Sequence, residues 1–159
     1  MQITHLAVTA LRIVLVAAFL LLVLFQVMSL PGQFAHMAAE NPEQAGLQWP
    51  LTIFAILEVA CLQVVIVSTW KLLTMVKRDQ IFSRRAFVWV DAIMWAIAAA
   101  WTMLAVFSAI VVLNADDPGV PLLLILMLVA GAAVGLVVVV LRALLRQAAD
   151  LRSDLEAVI

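Results

Sequence analysis

Residues 120–141 read VPLLLILMLVAGAAVGLVVVVL, twenty-two residues without a charge. A helix rises about 1.5 Å per residue and the hydrocarbon core of a bilayer is about 30 Å thick, so about 20 apolar residues in a row cross it. Three further stretches of the same kind lie upstream. One covers residues 6–30 and should be stopped by Pro31 and Gly32, a helix-breaking pair. A second covers 50–76 and opens on Pro50, a favoured first-turn residue. A third covers 87–113 and reaches the fourth through a tight connection of Asn114, Asp116, Asp117, Pro118 and Gly119. The expectation is an all-α integral membrane four-helix bundle, with residues 1–159 forming a single membrane domain. Arg12 lies inside the first apolar segment and no A-x-A-like site follows closely, so that segment reads as a retained span and not as a signal peptide.

Composition agrees. Of 159 residues, 67% are hydrophobic and 12% charged, more apolar surface than a water-soluble core of this size hides. Cys61 is the single cysteine, which excludes an intramolecular disulfide, a paired-cysteine redox site and a thiolate zinc site. The net charge of −1 averages two unequal distributions. Arg12, Lys71, Lys77, Arg78, Arg84, Arg85, Arg142, Arg146 and Arg152 all fall at one end of the spans. The connections 31–49 and 114–119 carry Glu40, Glu43, Asp116 and Asp117 and no basic residue. Positive charge marks the cytoplasmic side, so the middle connection and both termini are expected there. Trp49, Trp70 and Trp89 stand near span ends, where an indole straddles headgroup and hydrocarbon.

Ionisable residues within spans are expensive and need named partners. Lys71 and Asp91 each lie ten residues from Ile81, so a hairpin of spans two and three brings them to similar depth. They are expected to form a structural ion pair, for which Arg12 on span one competes. Glu58 lies eight residues after Pro50, roughly 12 Å down a helix, far from every basic residue. Desolvation there favours the neutral acid, which donates a hydrogen bond to a neighbour such as Thr102 or Gln26. Three readings stay open: a polar contact gluing helices together, the proton or cation site of a transport path built with these residues, or a contact of Glu58 with lipid or a partner. Gln63, five residues on, is turned by about 140° from Glu58 and does not extend one polar stripe. Gly131 and Gly135 form a G-x-x-x-G pair that permits close helix packing within the bundle or between copies.

Past Leu141 the sequence becomes amphipathic. Leu141, Leu144, Ala148, Leu151, Leu155 and Val158 alternate spacings of three and four, a heptad seam. Residues 142–159 therefore read as a cytoplasmic helical extension of span four that packs on the protein's own loop or the membrane surface, or docks a partner or a second copy. His36, Glu40 and Glu43 make a poor metal site in a loop holding Pro42 and Gly46, and His5 lies at the other end of span one. No phosphate-binding glycine loop, nucleophile elbow or catalytic carboxylate pair is present. No metal, cofactor or direct nucleic-acid binding is expected, and no catalytic residue is assigned.

The run from Leu72, Leu73, Thr74, Met75, Val76, Lys77 and Arg78 through Asp79, Gln80, Ile81, Phe82 and Ser83, followed by Ala86, Phe87, Val88, Trp89, Val90 and Asp91, resembles the domain-of-unknown-function 2975 family of small bacterial four-span membrane proteins. The ending Asp154, Leu155, Glu156, Ala157, Val158 and Ile159 is similar to that family's C-terminus. Asp79 stands where the family pattern suggests glycine, and the basic residues common after the phenylalanine in span three are missing. The resemblance implies a four-span fold in a bacterial plasma membrane, no assigned activity, frequent neighbourhood to small helix-turn-helix regulators, and Phe82 as a family feature anchoring the loop.

The expected function is thus a non-enzymatic regulatory or scaffolding partner. It acts through a cytoplasmic edge of Lys77, Arg78, Phe82, Arg84, Arg85, Leu151 and Leu155, embedded in the lipid bilayer and meeting a cytoplasmic protein or a further copy. The rival expectation is a small oligomeric proton- or cation-coupled transporter using Glu58. The orientation is open to a direct test in a Cys61→Ala background. A membrane-impermeant maleimide should label Asp116→Cys in intact cells and Ser153→Cys only after permeabilisation, and the reverse pattern would invert the topology.

Overall fold

The computed structural model describes residues 2–78 and 80–158; Asp79 and Ile159, both part of the family resemblance, lie outside the described residues. Among the described residues every regular element is helical: α1 (Gln2–Leu24), a π-helical turn (Phe25–Ser29), α2 (Leu30–Glu40), a 3-10 turn (Pro42–Leu47), α3 (Gln48–Lys77), α4 (Arg84–Asn114) and α5 (Gly119–Val158). Four helical runs, His5–Glu40, Ala45–Lys77, Arg84–Asn114 and Gly119–Val158, are long and apolar enough to cross a membrane. The chain divides into two compact units, Met1–Ile66 and Val67–Ile159, with the boundary inside α3.

In the first unit, Pro31 and Gly32 do not end the helix as their chemistry suggested. A proline breaks a helix because it offers no N–H and its ring collides with the carbonyl four residues back. Here residues 25–29 widen into a π turn, closed by the Leu30 N–H on the Phe25 carbonyl, so the hydrogen-bond ladder has already slipped when Pro31 arrives. Pro31 then occupies the first turn of α2, where a missing N–H costs least. Helix therefore persists to Glu40, and most of the expected loop 31–49 is α2 and the 3-10 turn. The reversal falls at Asn41, whose N–H closes on the Met37 carbonyl at 3.0 Å. Phe34, Met37 and Ala38 of α2 then face Leu47, Gln48 and Leu51 across a small crevice.

In the second unit, α4 and α5 run antiparallel. Two contacts set their register, Trp101 with Leu128 and Asp91 with Arg142, and Phe82 in the loop before α4 adds a third with Arg152. The turn between the helices is tight because the Asp117 carboxylate folds back to accept the Gly119 N–H at 3.2 Å, capping the start of α5. A Cβ on Gly119 would stand 2.9 Å from that carboxylate oxygen, so glycine makes room for the cap. From there α5 continues without a break for 40 residues. Gly131 lies under Trp101, where a Cβ would approach the indole to 3.2 Å. The Trp101 N–H donates to the Leu128 carbonyl at 2.9 Å.

Large side chains such as Leu20, Trp95, Leu122 and Leu136 point outward, and most of the buried positions are small: Ala86, Ala96, Ser68, Ser108, Thr52. This inverts the soluble pattern. Lipid solvates leucine as well as a core would, so helices associate through close backbone approach and polar contacts. Trp101→Phe keeps the ring over Gly131 and removes the N–H. It should weaken the α4–α5 association by about 0.6 to 1.7 kcal/mol in bicelle unfolding, and an unchanged unfolding midpoint would show that the bond to Leu128 contributes nothing.

Candidate functional site

The basic residues of the second unit gather toward the end that holds the α3–α4 connection. Asp91 lies about two turns into α4, three residues before Met94 and one turn after Phe87, on the side that meets α5. Its Oδ1 accepts from Arg142 Nε at 2.6 Å, with the two side chains 41% and 32% exposed. Lys71, the partner expected from the spacing about Ile81, instead places Nζ 5.9 Å from the centroid of the Trp89 ring, within cation–π range. Counting residues from a turn sets depth along a hairpin and leaves the direction around the helix open. Two positions apart on α4, Trp89 and Asp91 point roughly 200° apart, and it is the α5 side that Asp91 occupies. The same counting about the other turn finds the true partner: Asp91 precedes Asp116 by 25 residues and Arg142 follows Asp117 by 25. Arg12, the expected competitor, is half-buried on α1 in the first unit.

Below this pair lies the loop. Phe82 is half-buried, and the Arg152 guanidinium stacks 5.2 Å from its ring centroid, tying the loop to the far part of α5. Lys77, Arg78, Arg84 and Arg85 are exposed around it. Along α5, Leu141, Leu144, Leu151, Leu155 and Val158 are each more than half exposed, so the heptad seam has no cover within the chain among the described residues. Arg152 also pairs with Glu156 at 3.3 Å along the helix.

Around Glu58 the first unit holds a different arrangement. Gln26, carried by the π turn, donates from Nε2 to the Ile56 carbonyl at 3.0 Å and accepts at Oε1 from Gln63 Nε2 at 2.7 Å. Gln63 does not share Glu58's face, and for that reason α3 turns it toward Gln26 on the π turn. Glu58 is half-buried on α3, and its Oε1 is enclosed with no hydrogen-bond partner. Thr102, in the other unit, is exposed on α4 and donates its hydroxyl to the Ala98 carbonyl at 2.7 Å. Both groups offered as neighbours of Glu58 are thus engaged with other acceptors. His36 and Glu40 do share a face of α2, 3.3 Å apart and exposed. No group of three or more metal-ligating side chains occurs among the described residues.

Residues 32–159 match the model of the family described as protein of unknown function, DUF2975. The match takes in both stretches that carried the resemblance. No curated protein and no solved structure matches the chain.

The Asp91–Arg142 contact and the Lys71–Trp89 contact predict separable effects. Asp91→Asn and Arg142→Gln should each lower the melting temperature in detergent, and the double variant should fall no further than the worse single one. Lys71→Met combined with Asp91→Asn should instead be additive, because the two side chains do not share a partner. Additivity between Asp91 and Arg142 would break the assignment.

Proposed function

Because this chain belongs to the DUF2975 family, whose members carry no assigned function, its role has to be read from its own surfaces, and we propose a non-catalytic regulatory or scaffolding membrane protein. In this reading it is a bacterial plasma-membrane protein with both termini and the α3–α4 connection in the cytoplasm, as the distribution of Lys and Arg favours. The observation that carries the reading is the uncovered seam of α5. A helix that leaves the bilayer with Leu144, Leu151, Leu155 and Val158 on one stripe, all more than half exposed, has its apolar face prepared for another helix. The Arg152 contact with Phe82 joins this stripe to the basic rim of Lys77, Arg78, Arg84 and Arg85, so stripe and rim form one surface. Its complement is an amphipathic helix of a cytoplasmic protein with acidic flanks. The charges would orient it and the leucines would hold it.

A photo-crosslinker at Leu151 should capture one discrete partner in cells, and Leu144→Glu with Leu155→Glu should lose it while the spans still insert. Truncation after Gln147 should do the same. An unchanged crosslinking pattern in both variants would defeat the proposal. A band at twice the chain's own mass would replace the partner with a second copy.

Glu58 supports a second reading. A carboxyl group with one oxygen enclosed and no donor on it is an expensive feature inside a membrane span, and proton- or cation-coupled transporters use such groups. Glu58→Gln should abolish coupled flux in proteoliposomes if the protein is such a transporter. Wild-type vesicles that carry no flux over a broad substrate panel would remove this alternative.

A further inference from the structure

The faces of α4 and α5 that meet at Asp91 and Arg142 continue away from that pair as a groove. Met94, Ala98 and Trp101 line it from α4, and Gly131, Gly135 and Val139 from α5, around an open volume of about 400 Å³ with an almost wholly apolar lining. We propose that this groove seats one acyl chain of an anionic phospholipid, with the headgroup phosphate held at the Arg142 end.

Three observations point to that occupant. The first is length. Gly131 and Arg142 are eleven residues apart, about 16 Å along a helix, which is one leaflet of a hydrocarbon core of about 30 Å. The second is width. A volume of 400 Å³ along the lined stretch from Gly131 to Val139, about 12 Å of helix, has a cross-section of roughly 33 Å², wide enough for a polymethylene chain in van der Waals contact. The glycines that would receive a facing helix are already in use, since a Cβ on Gly131 would come within 3.2 Å of Trp101 and one on Gly135 within 3.5 Å of Ile97.

The third observation is charge. At the end of the groove the Arg142–Asp91 pair is neutral in sum and remains partly exposed, its contact made through Nε, one of five guanidinium donors. One turn further along the same face of α5 stands Arg146, and two turns before Asp91 on the same face of α4 stands Arg84, both exposed. Two cations beyond a neutral pair leave a net positive seat at the depth where a phosphate lies when its chain fills the groove. The groove alone would take any lipid tail, and these arginines select the anionic headgroup.

The test uses the full chain reconstituted in vesicles of equal parts phosphatidylglycerol and phosphatidylcholine, released into mild detergent and weighed intact. The expected result is one retained lipid per chain, with phosphatidylglycerol enriched about tenfold over phosphatidylcholine. Gly135→Leu and Ala98→Leu, each filling the groove, should lose both lipids. Arg84→Gln with Arg146→Gln, two surface changes, should keep one lipid but bring the preference close to unity. Equal retention of both lipids by the wild type, undiminished retention in the groove variants, or disulfide formation between two copies carrying Gly135→Cys would each overturn the proposal.

Discussion

Hydrocarbon supplies no hydrogen bonds, and the protein is organised by that fact. Each backbone N–H and C=O within the bilayer has to be satisfied inside the chain, which leaves helices as the form available to these apolar segments. The rule extends to side chains. Thr52, Thr74, Thr102 and Asn114 each turn back to the carbonyl one helical turn earlier, so four polar groups disappear into their own helices. Trp101 and Gln26 reach across instead, each donating to a carbonyl of another helix, Leu128 and Ile56. A carbonyl oxygen has two lone pairs and accepts such a bond without releasing its own helical partner. Polar contacts of this kind fix which helix faces meet, a task for which interchangeable leucines in lipid are poorly suited.

Much of the fold is legible in the sequence because length and hydropathy govern insertion. Four segments near 20 apolar residues, a short acidic turn at 114–119 and a basic connection near Ile81 leave few alternatives. The observed helices nonetheless run past the expected ends, α4 from Arg84 and the first run through Pro31 to Glu40. Pro31 misleads because proline's penalty depends on the ladder before it, and a π turn is a backbone accommodation that no residue type announces. The helical continuation of α5 to Val158 is legible, because a spacing of three and four is a helical signature whatever solvent surrounds it.

The polar sites are legible in part, for a reason tied to geometry. Counting along an antiparallel hairpin yields depth, which is one coordinate, and a contact requires depth and azimuth together. Lys71, Trp89 and Asp91 share a level near the end of unit two that holds the α3–α4 connection, yet the carboxylate belongs to Arg142 and the ammonium to the indole. Glu58 shows the same limit. The neighbours that the sequence suggests for it, Gln26 and Thr102, have their hydrogen bonds elsewhere, and Gln63, turned away from it, completes the Gln26 contact.

The length of α5 has a mechanical consequence. Forty residues in one unbroken helix measure about 60 Å, twice the hydrocarbon thickness. If Arg142 and Asp91 form a pivot, sixteen residues extend beyond it to Val158, a rigid arm of roughly 24 Å. A change of about 10° in the tilt of the span, well within what bilayer thickness imposes on transmembrane helices, then sweeps the tip of the arm through roughly 4 Å. With the pair as fulcrum, the Arg152 contact with Phe82 would carry that movement into the loop, and the exposed Leu151 and Leu155 would move with it.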